Sequence, residues 1–475
     1  MGGVVARRPS RLYKEADTPL PPLFRTSQMT ADQEALDLLD DLLKRAKAVG
    51  AEAADAVLFD SIALSHAQRL GALERLEREE SRDIGLRVLL GKQQAFVSST
   101  DTSSAALDEL VARALAMARA VPEDAYCGLA EPGQLARNIP EIEIFDPEEP
   151  AAETLVERAK LCEAAARAVS GVTNSEGAEA GWSSSRVALA ASNGFSGGYA
   201  VSRHSMGVSV LAGEGLGMER DYEFASRTHG ADLEDPVEIG RRAGERTVKR
   251  LGARKPMTGR FPVIFDPRVS AGLLGHLAGA ISGPAVARGT SFLKDKMGER
   301  IFAAGITIVD DPHRPHGLRS KPFDGEGIAN ARREVIEDGR LTTWIMSLSS
   351  ARQLGLETTG HAARGTSGPP SPSVSNLFME PGAASAAELM ADIAQGFYVT
   401  EMMGMGVNTV TGDYSRGASG FWIENGELTH PVSEATVAGN LKDMFRALTP
   451  ADDLEFRYGT DAPTLRIDAM TVAGA

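Results

Sequence analysis

The sequence predicts an α+β protein, with a mixed α/β N-terminal half and a β-sheet-rich C-terminal half. Three observations carry this reading. Apolar residues recur at helical spacing and in short alternating runs up to about residue 250. A polar segment with proline and glycine, ARKPMTGR at 253–260, interrupts the pattern. Beyond it, runs rich in β-branched and aromatic residues dominate. The 475 residues suffice for two or three well-filled domains, and a 43% hydrophobic, 24% charged composition is that of an ordinary globular chain.

Taken in order, residues 1–29 read as a disordered extension, because MGGVVARRPSRLYKEADTPLPPLF mixes proline and arginine with no continuous apolar core of a secretory signal. Thr30 is expected to open a helix with Gln33 completing a capping box, and Leu36, Leu39, Leu43 and Ala46 form its apolar stripe up to Gly50. ADAVLFDS and IGLRVLLGKQQAFVSST read as strands, the latter a hairpin turning at Gly91-Lys92. Helices over 104–120 and 152–169 bracket an acidic, proline-containing connector, EIEIFDPEEP. A strand pair turns at Asn193-Gly194, and a helix over 237–251 completes an N-terminal domain of residues 30–250. In the C-terminal domain, 255–475, strands are expected at RFPVIFDP, GITIVDD, REVIEDGRLTTWIM, SVSNLFMEP and TLRIDAMTVAG, with helices over 268–282, 384–395 and 434–447.

A net charge of −15 argues against binding nucleic acid or anionic membrane. No apolar run approaches the roughly 18 residues of a membrane span. Two cysteines, Cys127 and Cys162, form no disulfide framework or C-x-x-C pair and fit a reducing compartment, so the cytoplasm is the expected location. G-x-S-x-G, Walker A and H-E-x-x-H motifs are absent. In GEGLG, 213–217, the glycines read as a turn. DDPHRPHG sets His313 and His316 beside Asp310 and Asp311, a weak metal candidate on what Pro312 and Pro315 make an exposed loop.

Two segments stand out. SAGLLGHLAGAISG, 270–283, holds His276 among glycine, alanine and leucine, none of which binds metal, so packing is the simpler reading. TGDYSRGASGFWIENGE, 411–427, surrounds Asp413, Tyr414, Ser415 and Arg416 with small residues; a strand–turn–strand with a buried ion pair and a peptide-binding sheet edge are both open.

With GDYSRGASGFWIENGELTHPVSEATVAGNLKDMF, PFDGEG, DGRLTTWIMSLSSARQLGL, TTGHA, GHLAGAISG and GTSFLKDKMGERI, the chain resembles the TldD/PmbA family, described as zinc peptidases. The likeness covers essentially all of 255–475 and is looser, in layout, over 30–250. TldD-type members carry an H-E-x-x-x-H helix and a late cysteine; PmbA-type members, also called TldE, lack these ligands and pair with a TldD-type chain. Aligned on Leu273-Leu274, the motif's positions fall on Gly275, His276 and Ala280, and no cysteine follows near the C-terminus. The resemblance therefore implies no catalytic residue and no metal in this chain, with zinc held by the TldD-type partner. It implies a peptide cleft with His276, Gly279, His361, Asp413, Tyr414, Ser415 and Arg416 as candidates. Expected substrates are unfolded polypeptides or small modified peptides, such as microcin or antitoxin precursors, matured by the heterodimer. Two rival readings are an independently active metallopeptidase, with metal on His276, His361 or the 313–316 loop, and a non-enzymatic regulatory module matching the family's older description as a gyrase modulator.

Overall fold

The computed structural model describes residues 22–474, with side chains from Gln33 onward. Residues 1–21 of the expected extension lie outside the described residues. Helix α1 spans Pro22–Ala48, so it begins before Thr30 and includes the last residues assigned to the extension. Proline is tolerated in a first helical turn, whose N–H groups have no intrahelical acceptor.

The first sheet has the order β3-β2-β1-β4-β5-β6, built from β1 (Ala53–Arg69), β2 (Ala72–Leu90), β3 (Gln93–Ser99), β4 (Val172–Ala191), β5 (Ser196–Ala212) and β6 (Glu219–Arg227). Its side chains alternate between faces, and even-numbered positions such as Ala56, Leu58, Leu86, Ala188 and Val208 point to one of them. That face is covered by α1 and α2 (Ser104–Ala120) at one end and by α3 (Ala152–Ala168) and α4 (Pro236–Lys249) at the other. On the opposite face Val57, Leu189 and Phe195 meet Phe323 of the C-terminal half. The outer part of β2, ALERLEREE, is exposed and highly charged, and its composition carries no strand signal. It is a strand because Leu70 and Gly71 both take positive φ, 53° and 78°, the geometry of a tight hairpin that zips it onto β1.

The C-terminal half starts with β7 (Gly259–Phe265) and α5 (Pro267–Ala280), then α6 (Gly283–Ala287). A smaller sheet follows, order β10-β9-β8-β13-β18, from β8 (Ile308–Asp311), β9 (Arg333–Glu337), β10 (Arg340–Leu341), β13 (Asn376–Met379) and β18 (Thr460–Asp461). Between them lie α7 (Leu348–Leu354) and the pair β11 (Ala362–Ala363) and β12 (Ser371–Pro372). The larger sheet, β16-β15-β14-β7-β19-β17, uses β14 (Gln395–Met403), β15 (Asp413–Glu424), β16 (Glu427–Asn440), β17 (Leu448–Pro450) and β19 (Leu465–Gly474). Residues 435–438 of β16 also pair with 471–474 of β19, which closes five of these strands into a ring. The main core lies here, centred on Phe265, Phe302, Phe397 and Phe445.

Three expected elements differ. The helix read over 434–447 is only α9, Leu441–Ala447; residues 434–440 continue β16, where Thr436 and Val437 pair on both sides, and the Asn440 side chain then caps the helix. The helix read over 384–395 is confined to α8, Ala386–Met390, started by a Ser385–Glu388 capping box, and β14 begins at Gln395. The strand read through TTWIM stops at Leu341.

Candidate functional site

Helix α5 is set by Asp266, whose carboxylate accepts from Arg268 N at 3.0 Å, followed by proline at the first helical position. Leu273, Leu274, Leu277 and Ala280 bury one face in the core. Gly272, Gly275 and Gly279 line the other and are exposed. A Cβ at Gly275 or Gly279 would meet nothing within 4 Å, and one at Gly272 only Arg416 Nη1, at 4.0 Å. The helix is tied to the first sheet by Arg268, which donates to Asp221 at 2.8 Å and lies 4.5 Å over the Tyr222 ring.

Beside this glycine face sits His276, half-buried, its ring edge-on to Tyr414 with centroids 5.8 Å apart. Its Nε2 is buried without a protein partner among the described residues. Burial, and then the charge of Arg416, hold its pKa below the ordinary histidine value. Burial pushes the Tyr414 phenol up to about 12. Arg416 is half-buried and donates from Nε to Gly404 O at 2.9 Å. Alternation along β15 therefore divides the predicted set. Tyr414 and Arg416 join His276 and the Gly272–Gly279 face, whereas Asp413 and Ser415 are exposed on the other side of the strand. Asp413 bonds Thr411 Oγ1 at 2.6 Å and Asn440 Nδ2 at 3.0 Å, and these hydrogen bonds lower its pKa. Ser415 N donates to Gly406 O at 2.7 Å, an approach that leaves no room for a Cβ on Gly406.

Neither reading of 411–427 survives whole. Arg416 is held by a carbonyl, with no carboxylate at ion-pair distance among the described residues, so there is no buried ion pair. β15 is flanked by β14 and β16, so it is not an exposed edge. What the site does offer is exposed apolar surface on the segment that Arg416 holds through Gly404 O, from Met403 and Met405 on either side of that glycine.

His361 is elsewhere. It is buried in the smaller sheet's polar centre, with Nδ1 on Thr359 Oγ1 at 2.9 Å and Nε2 on Asp310 Oδ2 at 3.1 Å. The 313–316 loop also departs from expectation. His313 Nε2 bonds Asn330 at 2.7 Å, and Asp310 is taken by His361 and Ser375. His316 instead reaches the preceding domain, where it pairs with Asp232 and stacks on His229 at 4.0 Å and 18°. These three residues bring ligand atoms within 4.8 Å of one another. The His316–Asp232 and His316–His229 contacts also join this loop to the preceding domain.

The sequence reading missed a second polar centre. Asp55 of β1 and Arg87 of β2 are buried charges within the apolar stretches of their strands, and Arg364 of the C-terminal half joins them. Charged residues inside the runs ADAVLF and GLRVLL were the available signal, because a buried charge demands a partner.

Known proteins place this architecture. Over 92% of this chain and 98% of that one, it superposes on a proposed modulator of DNA gyrase from Bacteroides thetaiotaomicron, with a TM-score of 0.85 and 27% identity. TldE from Thermococcus kodakarensis shares the fold at a TM-score of 0.83 and 21% identity, over 92% of this chain and 100% of that one. The class is that of metallopeptidase-type chains in three parts: PmbA/TldA metallopeptidase domain 1 matches residues 54–118, the central domain 145–251 and the C-terminal domain 258–474. Metalloprotease PmbA of Escherichia coli O157:H7 is 36% identical over 94% of this chain and 98% of its own length, and a PmbA homologue of Haemophilus influenzae 34% identical over 93% and 97%. The chain belongs to the PmbA/TldD family. The family divides the N-terminal half at the connector, although one continuous sheet joins both pieces here.

A metallopeptidase zinc needs three protein ligands and an open position. On the outward face of α5, His276 is the one side chain with a ligand atom, and Arg416 places a positive charge beside it. These residues do not fit a zinc ion.

Proposed function

We propose that this chain is the PmbA/TldE-type subunit of a cytoplasmic, heterodimeric metalloprotease, and that it presents unfolded or small modified peptides to a zinc-bearing TldD-type partner. The observation that carries the reading is α5 itself: its exterior presents open glycines and one histidine, with no carboxylate or thiol, and the positions that the resemblance aligns with the partner type's ligand motif are Gly275, His276 and the buried Ala280. Hydrolysis through a bound metal needs a ligand set and a base for the water, so a chain of this build contributes binding surface. Backbone can approach the glycine face closely. Arg416 lies beside it and holds the Met403–Met405 segment, a combination suited to extended peptide of varied sequence. No helix among the described residues is long and apolar enough to cross a membrane.

The test mixes this chain with a TldD-type protein and follows cleavage of an unstructured peptide. Co-elution and cleavage faster than by the partner alone are expected. Equal rates and separate elution refute the subunit reading. Cleavage by this chain alone would establish the independent metallopeptidase, and tight binding to gyrase without proteolysis would establish the regulatory module.

A further inference from the structure

The C-terminal half crosses the helix-free face of the first sheet so closely that a Cβ on Gly85 would lie 2.4 Å from Thr366 O. At this crossing Arg87 Nε donates to Asp55 Oδ2 at 2.8 Å, and Arg364 reaches Asp55 Oδ1 through Nη1. One carboxylate thus serves two guanidinium groups. The Arg364 side chain is only 2% exposed, yet its Nε and Nη2 have no partner among the described residues. Those two nitrogens form one edge of the guanidinium, the edge that matches a carboxylate's paired oxygens. A buried donor left unsatisfied loses its hydration with nothing in return, so this edge calls for an acceptor.

Arg364 lines a cavity of about 130 Å³ together with polar Lys321 and Asp324 and apolar Val57, Val187, Leu189 and Phe323. Lys321 Nζ is bonded to Ala362 O at 3.0 Å, which leaves donors to spare. Asp324 cannot serve the arginine edge well, because its oxygens already accept from the backbone N–H groups of Glu326, Ile328 and Ala362. Cavities of roughly 150 Å³ hold a benzene-sized molecule, so this one suits a ligand of about six heavy atoms.

We propose that this cavity binds a short aliphatic carboxylate, its oxygens on the Nε–Nη2 edge of Arg364 and beside Lys321, its tail among Val57, Val187, Leu189 and Phe323. The same chemistry is carried by a free branched-chain acid and by the C-terminal residue of a peptide ending in valine. The site is independent of the α5 surface and of the subunit reading.

The test is calorimetric titration of the full chain with isovalerate, isovaleramide, inorganic phosphate, and the tripeptide Ala-Ala-Val with a free or amidated C-terminus. Saturable 1:1 binding of isovalerate or of the free-carboxylate tripeptide is expected, without binding of the matching amide. Whichever of the two binds more tightly identifies the source. Arg364→Met should weaken binding by about tenfold or more. Because that change strips a partner from buried Asp55, Val187→Phe provides a second variant that fills the cavity and keeps every charge; it should lose binding with an unchanged circular dichroism spectrum. Absence of saturable carboxylate binding, equal binding of acid and amide, preference for phosphate, or wild-type affinity in both folded variants would each overturn the proposal.

Discussion

Gly275 and Gly279 provide a direct test of whether the α5 face serves binding or the fold. Glycine inside a helix costs roughly 0.5–1 kcal/mol relative to alanine, through the backbone freedom lost on folding. At Gly275 a Cβ would meet nothing within 4 Å, so no steric term offsets that gain. Gly275→Ala should therefore stabilise the chain by about 0.5–1 kcal/mol, seen as a higher urea midpoint with an unchanged slope. Gly279 also faces open space, and Gly279→Trp should leave the fold intact by circular dichroism. The indole, however, places on the order of 150–250 Å² of side chain on the surface where backbone approach is proposed. Cleavage by the mixture of this chain and a TldD-type partner should then fall to the partner's own rate. Destabilisation by Gly275→Ala would show that the face is packed in the folded chain. A folded Gly279→Trp variant with full activity in the mixture would place the cleft elsewhere.

Other outcomes follow from the same contacts. Arg416→Ala, which removes the bond to Gly404 O and the interaction with the Tyr414 hydroxyl from a half-buried side chain, should cost stability only about 1–2 kcal/mol while weakening peptide affinity more; the reverse order, from urea melts and fluorescence anisotropy of a labelled peptide, would make Arg416 structural. Glu326 is buried and accepts from Leu348 N at 2.8 Å; burial, reinforced by Asp324, raises its pKa from 4.5 to about 7. Folded chain then retains a proton that the unfolded chain releases, so this contribution to stability is fully present below the ordinary carboxylate range and is lost as pH rises towards 7. Glu326→Gln should flatten that decline between about pH 5 and pH 8, and parallel curves for the two proteins would show that Glu326 ionises normally. Elemental analysis of the dialysed chain should find far less than one zinc per chain; a retained stoichiometric zinc would contradict the reading of α5.

Much of the secondary structure was legible because its causes are local. The helices at 104–120 and 152–168 announce themselves by 3.6-residue periodicity, and the turns at Gly91 and Asn193-Gly194 by residues that tolerate left-handed backbone. Family membership was legible too, because the C-terminal motifs are long and specific. The charged outer strand of β2 was not, since nothing in ALERLEREE favours a strand until the hairpin at Leu70-Gly71 lays it on β1. The strand end at 434–440 was misread as helix because its reason is non-local pairing with both β15 and β19. The site shows the same division. The sequence by itself determined that α5 carries His276 without companion ligands. Only the tertiary structure decided that His276 meets Tyr414 and Arg416, that His361 belongs to the core, that His316 joins His229 and Asp232, and that Arg364 enters the first sheet beside Asp55. Periodicity and turn chemistry act between residues a few positions apart, whereas these partners are separated by tens to hundreds of residues and meet only when burial brings distant charges together.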